Sequence, residues 1–163
     1  MASIGIFYGS TTGSTKEVAE KLAKALGGAD VHDVASAGAS PADYDLVILG
    51  ASTWGSGDLQ DDMAEFLATV RGCSLGGKTA AVFGLGDQSG FGDTFVDGMA
   101  DMAEALQAAG AELVGSWPAD DYEYDASRAL VDGSFLGLVI DEDNQPGKTD
   151  ARLALWSEQL NQN

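Results

Sequence analysis

Ser10, Thr11, Thr12, Ser14 and Thr15 gather five hydroxyls around Gly9 and Gly13 in the stretch YGSTTGST, residues 8–15. Hydroxyls and the backbone N–H groups of a glycine-rich turn are neutral donors, and at the start of a helix such donors hold phosphate. No lysine or arginine lies within the loop, and Lys16, one residue into the expected helix, is expected to point to solvent. Two familiar phosphate patterns are thereby excluded. The nucleotide-hydrolase loop needs a lysine after its last glycine, where Ser14 stands, and the G-x-G-x-x-G dinucleotide fingerprint is absent. A terminal monophosphate can be neutralised by hydrogen bonds and the helix dipole alone, whereas a polyphosphate with magnesium demands more charge. Taken alone, the loop serves equally well as an N-cap and turn.

Two further glycine-rich stretches carry aromatic residues, ASTWGSGDL (51–59) with Trp54 and GLGDQSGFGDTF (84–95) with Phe91. Each ring is either a core-edge side chain or a flat platform for a flat ligand, and the flanking glycines let backbone approach a ligand closely. Two such rings within reach of a phosphate cradle outline a planar heterocycle on a phosphorylated tail, the shape of flavin mononucleotide (FMN). No hydrolytic or metal set is expected. His32 is the only histidine and stands beside the second strand, and the single cysteine, Cys73, reads as a small packed residue.

These loops must be positioned by the elements around them. SIGIFY (3–8), DVHDV (30–34), YDLVILG (44–50), KTAAVFG (78–84), AELVGSW (111–117) and FLGLVID (135–141) read as strands. Between them, apolar residues recur at helical spacing after the first loop, over 61–70, from Phe95 to Ala109, and from a Thr149 cap through Leu153, Trp156 and Leu160. Alternating strands and helices predict a three-layer, doubly wound α/β fold around a five-stranded parallel sheet of order 2-1-3-4-5. The polar, acidic and aromatic stretch 117–134 is expected to interrupt the fifth strand as an insertion. A single domain over residues 1–163 is expected, with the three loops meeting beyond the carboxyl ends of the strands.

With 26 acidic against 8 basic residues, the formal net charge is −18. That argues against nucleic acid or an anionic membrane as partner and favours basic proteins steered by charge. The chain shows no signal-like or membrane-spanning run, and one cysteine suits a reducing cytoplasm.

The motifs IGIFYGSTTGST, STWGSGDL and FGLGDQSGFGDTF, with the late GLVIDEDNQPGKTD, resemble those of a flavodoxin of the long-chain class over nearly the whole chain. The resemblance implies that residues 10–15 (Ser10, Thr11, Thr12, Gly13, Ser14, Thr15) hold the FMN phosphate. It places Trp54 on the inner and Phe91 on the outer face of the isoalloxazine. Backbone from Thr53 through Gly55 to Ser56, and from Leu85 through Gly86 to Asp87, would bond its polar edge, and Asp143 the ribityl chain. Phe91 stands where relatives usually carry tyrosine, which keeps the stacking and loses a hydroxyl. Gly55 stands where asparagine is common, beside the peptide that flips on reduction, and glycine enters the left-handed region at little cost.

Asp58, Asp61, Asp62, Asp87, Asp93 and Asp143 lie where their charge would oppose full reduction of the flavin. One charge at about 10 Å is worth about 1–2 kcal/mol at an effective dielectric near 20. The implied function is a low-potential one-electron carrier, monomeric and not an enzyme, shuttling between semiquinone and hydroquinone. Its redox partners would be proteins such as an NADP-linked flavodoxin reductase, nitrogenase iron protein or photosystem I. The alternative is an FMN-dependent NAD(P)H:quinone-type oxidoreductase on the same fold. A phospho-receiver module is excluded, because Gly9–Ser10, Ala51–Ser52 and Asp141–Glu142 occupy the positions of its acidic pair, phosphorylated aspartate and lysine.

Overall fold

The computed structural model describes residues 3–10, 13–36, 38–54, 57–90 and 92–161. In chain order the main elements are β1 (Ile4–Gly9), α1 (Ser14–Ala25), β2 (Asp30–Asp33), β3 (Leu46–Trp54), β4 (Asp58–Leu59), α2 (Asp61–Arg71) and β5 (Thr79–Leu85). They continue with α3 (Gly98–Ala108), β6 (Glu112–Leu113), β7 (Trp117–Pro118), β8 (Leu130–Val131), β9 (Ser134–Phe135), β10 (Leu138–Ile140) and α4 (Thr149–Asn161).

Unbroken apolar runs become central strands because both faces of the sheet are covered. Across the sheet the order is β2-β1-β3-β5, with β6 and β10 sharing the last place. β6 pairs with the start of β5 (Thr79↔Glu112) and β10 with its end (Leu138↔Phe83), both parallel. The fifth strand is thus split in two, as the insertion requires, and the order matches the doubly wound expectation. On one face, α1 and α4 bury Val18, Leu22 and Trp156 against Ile6, Ile48 and Phe83. On the other, α2 and α3 bury Met63, Val70, Met99 and Leu106 against Phe7, Val47, Leu49 and Val82.

Four boundaries differ from the sequence expectation. β3 runs on through Trp54 and pairs antiparallel with β4 (Thr53↔Leu59, Trp54↔Asp58), so Thr53 and Trp54 extend a strand that was read as ending at Gly50. Phe95 lies ahead of α3, because Val96 turns the chain at φ 47 before the helix begins. Segment 111–117 leaves the main sheet after Val114, whose N–H still donates to Ala80 O (2.8 Å). Gly115 (φ 84) then redirects the chain. Thr149 continues directly from a 3-10 turn over Pro146–Lys148, and its buried Oγ1 makes no capping bond.

The insertion builds its own three-stranded antiparallel sheet, order β7-β9-β8. Asp132 (φ 53) and Gly133 (φ 85) form the two-residue turn between β8 and β9, and two positive φ angles are what a tight hairpin demands. Below it, Tyr122, Tyr124 and Phe135 pack on Phe95, with ring centroids 5.4–5.9 Å apart. His32 is structural: its ring stacks on Phe7 at 5.0 Å, and Nε2 meets the Tyr44 hydroxyl at 2.7 Å. Among the described residues no helix is long and apolar enough to cross a membrane.

A side chain at Gly50 would overlap the ring of Phe83. Gly50→Ala is therefore expected to lower the free energy of urea unfolding by about 2–3 kcal/mol.

Desolvation, first among the causes, raises all four tyrosine hydroxyls above their ordinary value of 10, Tyr44 and Tyr122 to about 12. The contribution of Tyr44 and Tyr122 to stability is complete below pH 10 and is lost as pH rises through about 12. Phenolate absorbance should accordingly appear together with unfolding in that window. Normal titration near pH 10 in the folded protein would contradict the packing.

Candidate functional site

Register brings the three loops together before any side chain is considered. Gly9 of β1 lies beside Ala51 of β3, Ala51 beside Gly84 of β5, and Leu85 beside both Ser52 and Ile140. Four parallel strands therefore end side by side. The chain leaving β1 after Gly9, β3 after Trp54, β5 after Leu85 and β10 after Ile140 does so at one end of the sheet, where the winding reverses.

At the first loop, Ser10 Oγ accepts from Gly13 N (3.0 Å), which closes the turn. Gly13 is the N-cap of α1 at φ 95; its carbonyl accepts from Glu17 N (3.1 Å), but with open space where a side chain would be it caps none of the first-turn N–H groups. The positive end of α1 is consequently left to an outside anion, the condition a phosphate needs. Ser14 is half-buried and Thr15 is buried at 2% exposure. Thr11 and Thr12 lie outside the described residues.

At the second loop, Thr53 Oγ1 accepts from Gly98 N (3.0 Å), tying β3 to the start of α3. Trp54 is placed by its backbone at the end of β3. Gly57 (φ 96) leads back into β4, and a side chain there would press on buried Asp97 at 2.9 Å. Gly55, Ser56 and the Trp54 side chain lie outside what is described, as does Phe91 in the third loop.

Among the described residues, the third loop is tied down by a dense set of hydrogen bonds. Leu85 is buried, and Gly86 N donates to Ile140 O (3.1 Å), so that N–H is committed to the sheet. Asp87 Oδ1 accepts from Gly90 N (2.8 Å), Asn144 Nδ2 (2.8 Å) and Ser89 N (3.1 Å). These bonds, the one from Gly90 foremost, hold the Asp87 carboxyl below its ordinary 3.8. Asp93 is exposed in a short 3-10 turn, Gly92–Thr94. Asp143 is exposed beside the same loop, and its carboxyl is pushed up by desolvation first and then by the charges of Asp87 and Asp141.

Sequence reasoning missed the residue that joins these parts. Asp141, 0% exposed at the end of β10, accepts five hydrogen bonds. Asp143 N (3.1 Å) and Asn144 N (3.0 Å) reach Oδ1, while Gln88 N (3.0 Å), Gln88 Nε2 (2.7 Å) and Asn144 Nδ2 (2.9 Å) reach Oδ2. The signal was present as an aspartate ending the apolar run LGLVID. The oxygens of Asp87, Asp141 and Asp143 approach within 4.8 Å of one another, yet those of Asp87 and Asp141 already face N–H donors, which suits a loop clasp better than an open metal site. Of the other candidate carboxylates, Asp61 and Asp62 occupy the first turn of α2 and complement its dipole, and Asp58 lies exposed on β4.

The sheet, the helix start without a side-chain cap and the converging glycine loops define a doubly wound α/β protein whose candidate site lies beyond the carboxyl ends of its strands. Comparison with known proteins narrows the class. The family model described as flavodoxin matches residues 6–156. A flavodoxin of Synechococcus elongatus is 41% identical over 164 residues, covering 98% of this chain and 96% of that protein. One from Helicobacter pylori is 44% identical, covering 98% and 97%. Among solved structures, Fusobacterium nucleatum flavodoxin bound to flavin mononucleotide superposes with a TM-score of 0.94 at 26% identity, covering 99% of this chain and 98% of that one. The chain belongs to the flavodoxin family.

Asp141→Asn would turn an NH₂ group toward N–H donors whichever way the amide is rotated. The variant is expected to lose about 2–3 kcal/mol of stability in urea unfolding of the ligand-free protein. Wild-type stability would show that the clasp is not formed.

Proposed function

We propose that this protein is a one-electron carrier that binds FMN non-covalently and serves separate redox proteins, moving between the semiquinone and hydroquinone forms of its cofactor. The observation that carries the reading is the full-length likeness to a flavodoxin bound to flavin mononucleotide, on a sheet whose loops converge where that ligand class sits. When bound, FMN supplies the electron chemistry, and the protein supplies position and electrostatics.

In this reading Ser10, Thr11, Thr12, Gly13, Ser14 and Thr15 hold the phosphate against the open start of α1. Trp54 and Phe91 cover the two faces of the ring, and the backbone of 53–56 and 85–87 meets its polar edge. Asp93 and Asp143 flank the ligand from the third loop and from the end of β10. The insertion between β6 and β10 supports assignment to the long-chain class. A charge of −18 supports basic partners met by steering, in salt-sensitive contacts suited to rapid exchange. A single cysteine supports a reducing, cytoplasmic setting.

Titration of the ligand-free protein with FMN should quench flavin fluorescence at one equivalent, and partial reduction with dithionite should turn the yellow complex blue. A protein that leaves flavin fluorescence unquenched overturns the assignment. Steady oxidation of NAD(P)H with quinone by this protein alone would overturn the carrier reading in favour of a reductase.

A further inference from the structure

Gln88 is 7% exposed, and every polar atom of its side chain is directed at a different part of the fold. Nε2 donates to Asp141 Oδ2 (2.7 Å) at the end of β10, beside the bond from its own backbone N–H to the same oxygen. Oε1 accepts from the backbone N–H of Glu123, in the middle of the insertion. The insertion meets the third loop again four residues on, where Asp125 N (2.9 Å) and Ala126 N (3.0 Å) both donate to Gly92 O. Phe95 N returns a bond to Ala126 O (3.2 Å), and Arg128 N donates to Asp97 Oδ1 (2.8 Å). The loop spanning 86–94 is therefore held from behind by residues 123–126 and from the side by Asp141.

From this geometry we infer that Gln88 is a positioning residue: it ties the ring-side loop to the insertion, so that the insertion helps set the cofactor's affinity and potential from a distance. The inference rests on the proposed FMN site. Gln88 itself is buried and acts through its neighbours, Asp87 on one side and Ser89 and Gly90 on the other. The Gln88 side chain joins the loop to the end of β10 and to the insertion at once, its neutral amide donating to the Asp141 carboxylate while accepting from the Glu123 N–H. Coupling of this kind is reciprocal: a ligand that orders the loop must also protect the insertion.

The test compares the full-length wild type with Gln88→Met, which keeps length and apolar bulk and removes both polar ends. Val131→Ser, on the exposed hairpin of the insertion and outside the site, serves as control. The readouts are the FMN dissociation constant, both midpoint potentials of the bound cofactor, and amide hydrogen exchange at Glu123 with and without FMN. Gln88→Met should raise the dissociation constant about tenfold and shift at least one potential, while Val131→Ser stays within about twofold of wild type. FMN should slow exchange at Glu123 in the wild type and leave it unchanged in Gln88→Met. Lower urea stability of Gln88→Met with affinity and potentials unmoved would overturn the inference, leaving Gln88 a purely structural residue. FMN-induced protection of Glu123 that persists in the variant would overturn it as well. Failure of the wild type to bind FMN would instead sink the underlying reading of the site.

Discussion

A buried carboxylate held entirely by neutral donors is the interaction on which the working edge of this molecule depends. Asp141 sits at the last turn of the sheet with no water-exposed surface, and its five bonds come from backbone and amide N–H groups, none of them cationic. Such a group fixes geometry as a salt bridge would, without placing a positive charge beside the ligand. A cation there would favour an added electron, and neutral donors leave the local field negative. The same economy appears at the phosphate loop, where the start of α1 stands in for lysine. On the proposed function, the two ends of the ligand site would follow one rule: hold anions with dipoles rather than with cations.

The insertion extends that rule to the third loop. It is a small sheet closed by an Asp-Gly hairpin over an aromatic cluster, and the N–H groups of Glu123, Asp125 and Ala126 are spent on Gln88 and Gly92 of the third loop. Its far end is anchored to α4, where the Arg152 guanidinium lies 4.3 Å from the Tyr122 ring centre and 3.7 Å from Asp121. Arg152 is nearly buried while Asp121 is largely exposed, so the ion pair is partly screened and the stacking of the guanidinium on Tyr122 is the firmer half of the contact; the exposed pairs Lys21–Asp150 and Arg71–Glu104 add little. The insertion is therefore a brace between α4 and the ring-side loop, with its most exposed apolar residue, Val131, turned outward.

The excess of acid is spread over the surface rather than concentrated in one structural device. Several carboxylates do ordinary local work: Asp43 closes the capping box with Ser40, and Asp61 and Asp62 complement the start of α2. Solvent screens exposed charges beyond about 10 Å in moderate salt, so on the proposed reading only the carboxylates nearest the site would add to a negative field at the flavin edge. On the proposed function, partner steering and a low potential would both follow from this one surface.

Strand–helix alternation, the order of the sheet, the split fifth strand and the convergence of three glycine loops were legible in the sequence. Each is written in local pattern: apolar runs, helical spacing, and the polar stretch that breaks them. The hydroxyl loop was legible for the same reason, because a helix start and its donors are neighbours in the chain. What only the tertiary structure decided are contacts between residues far apart in sequence. The extension of β3 through Trp54 depends on β4 folding back on it, and the early end of β6 depends on Gly115 turning away from β5. Asp141, Gln88 and Glu123 are 18 to 53 positions apart, and nothing in their local context marks them as partners. Sequence pattern reports which face a residue presents; which donor finds which acceptor is settled by how the elements pack.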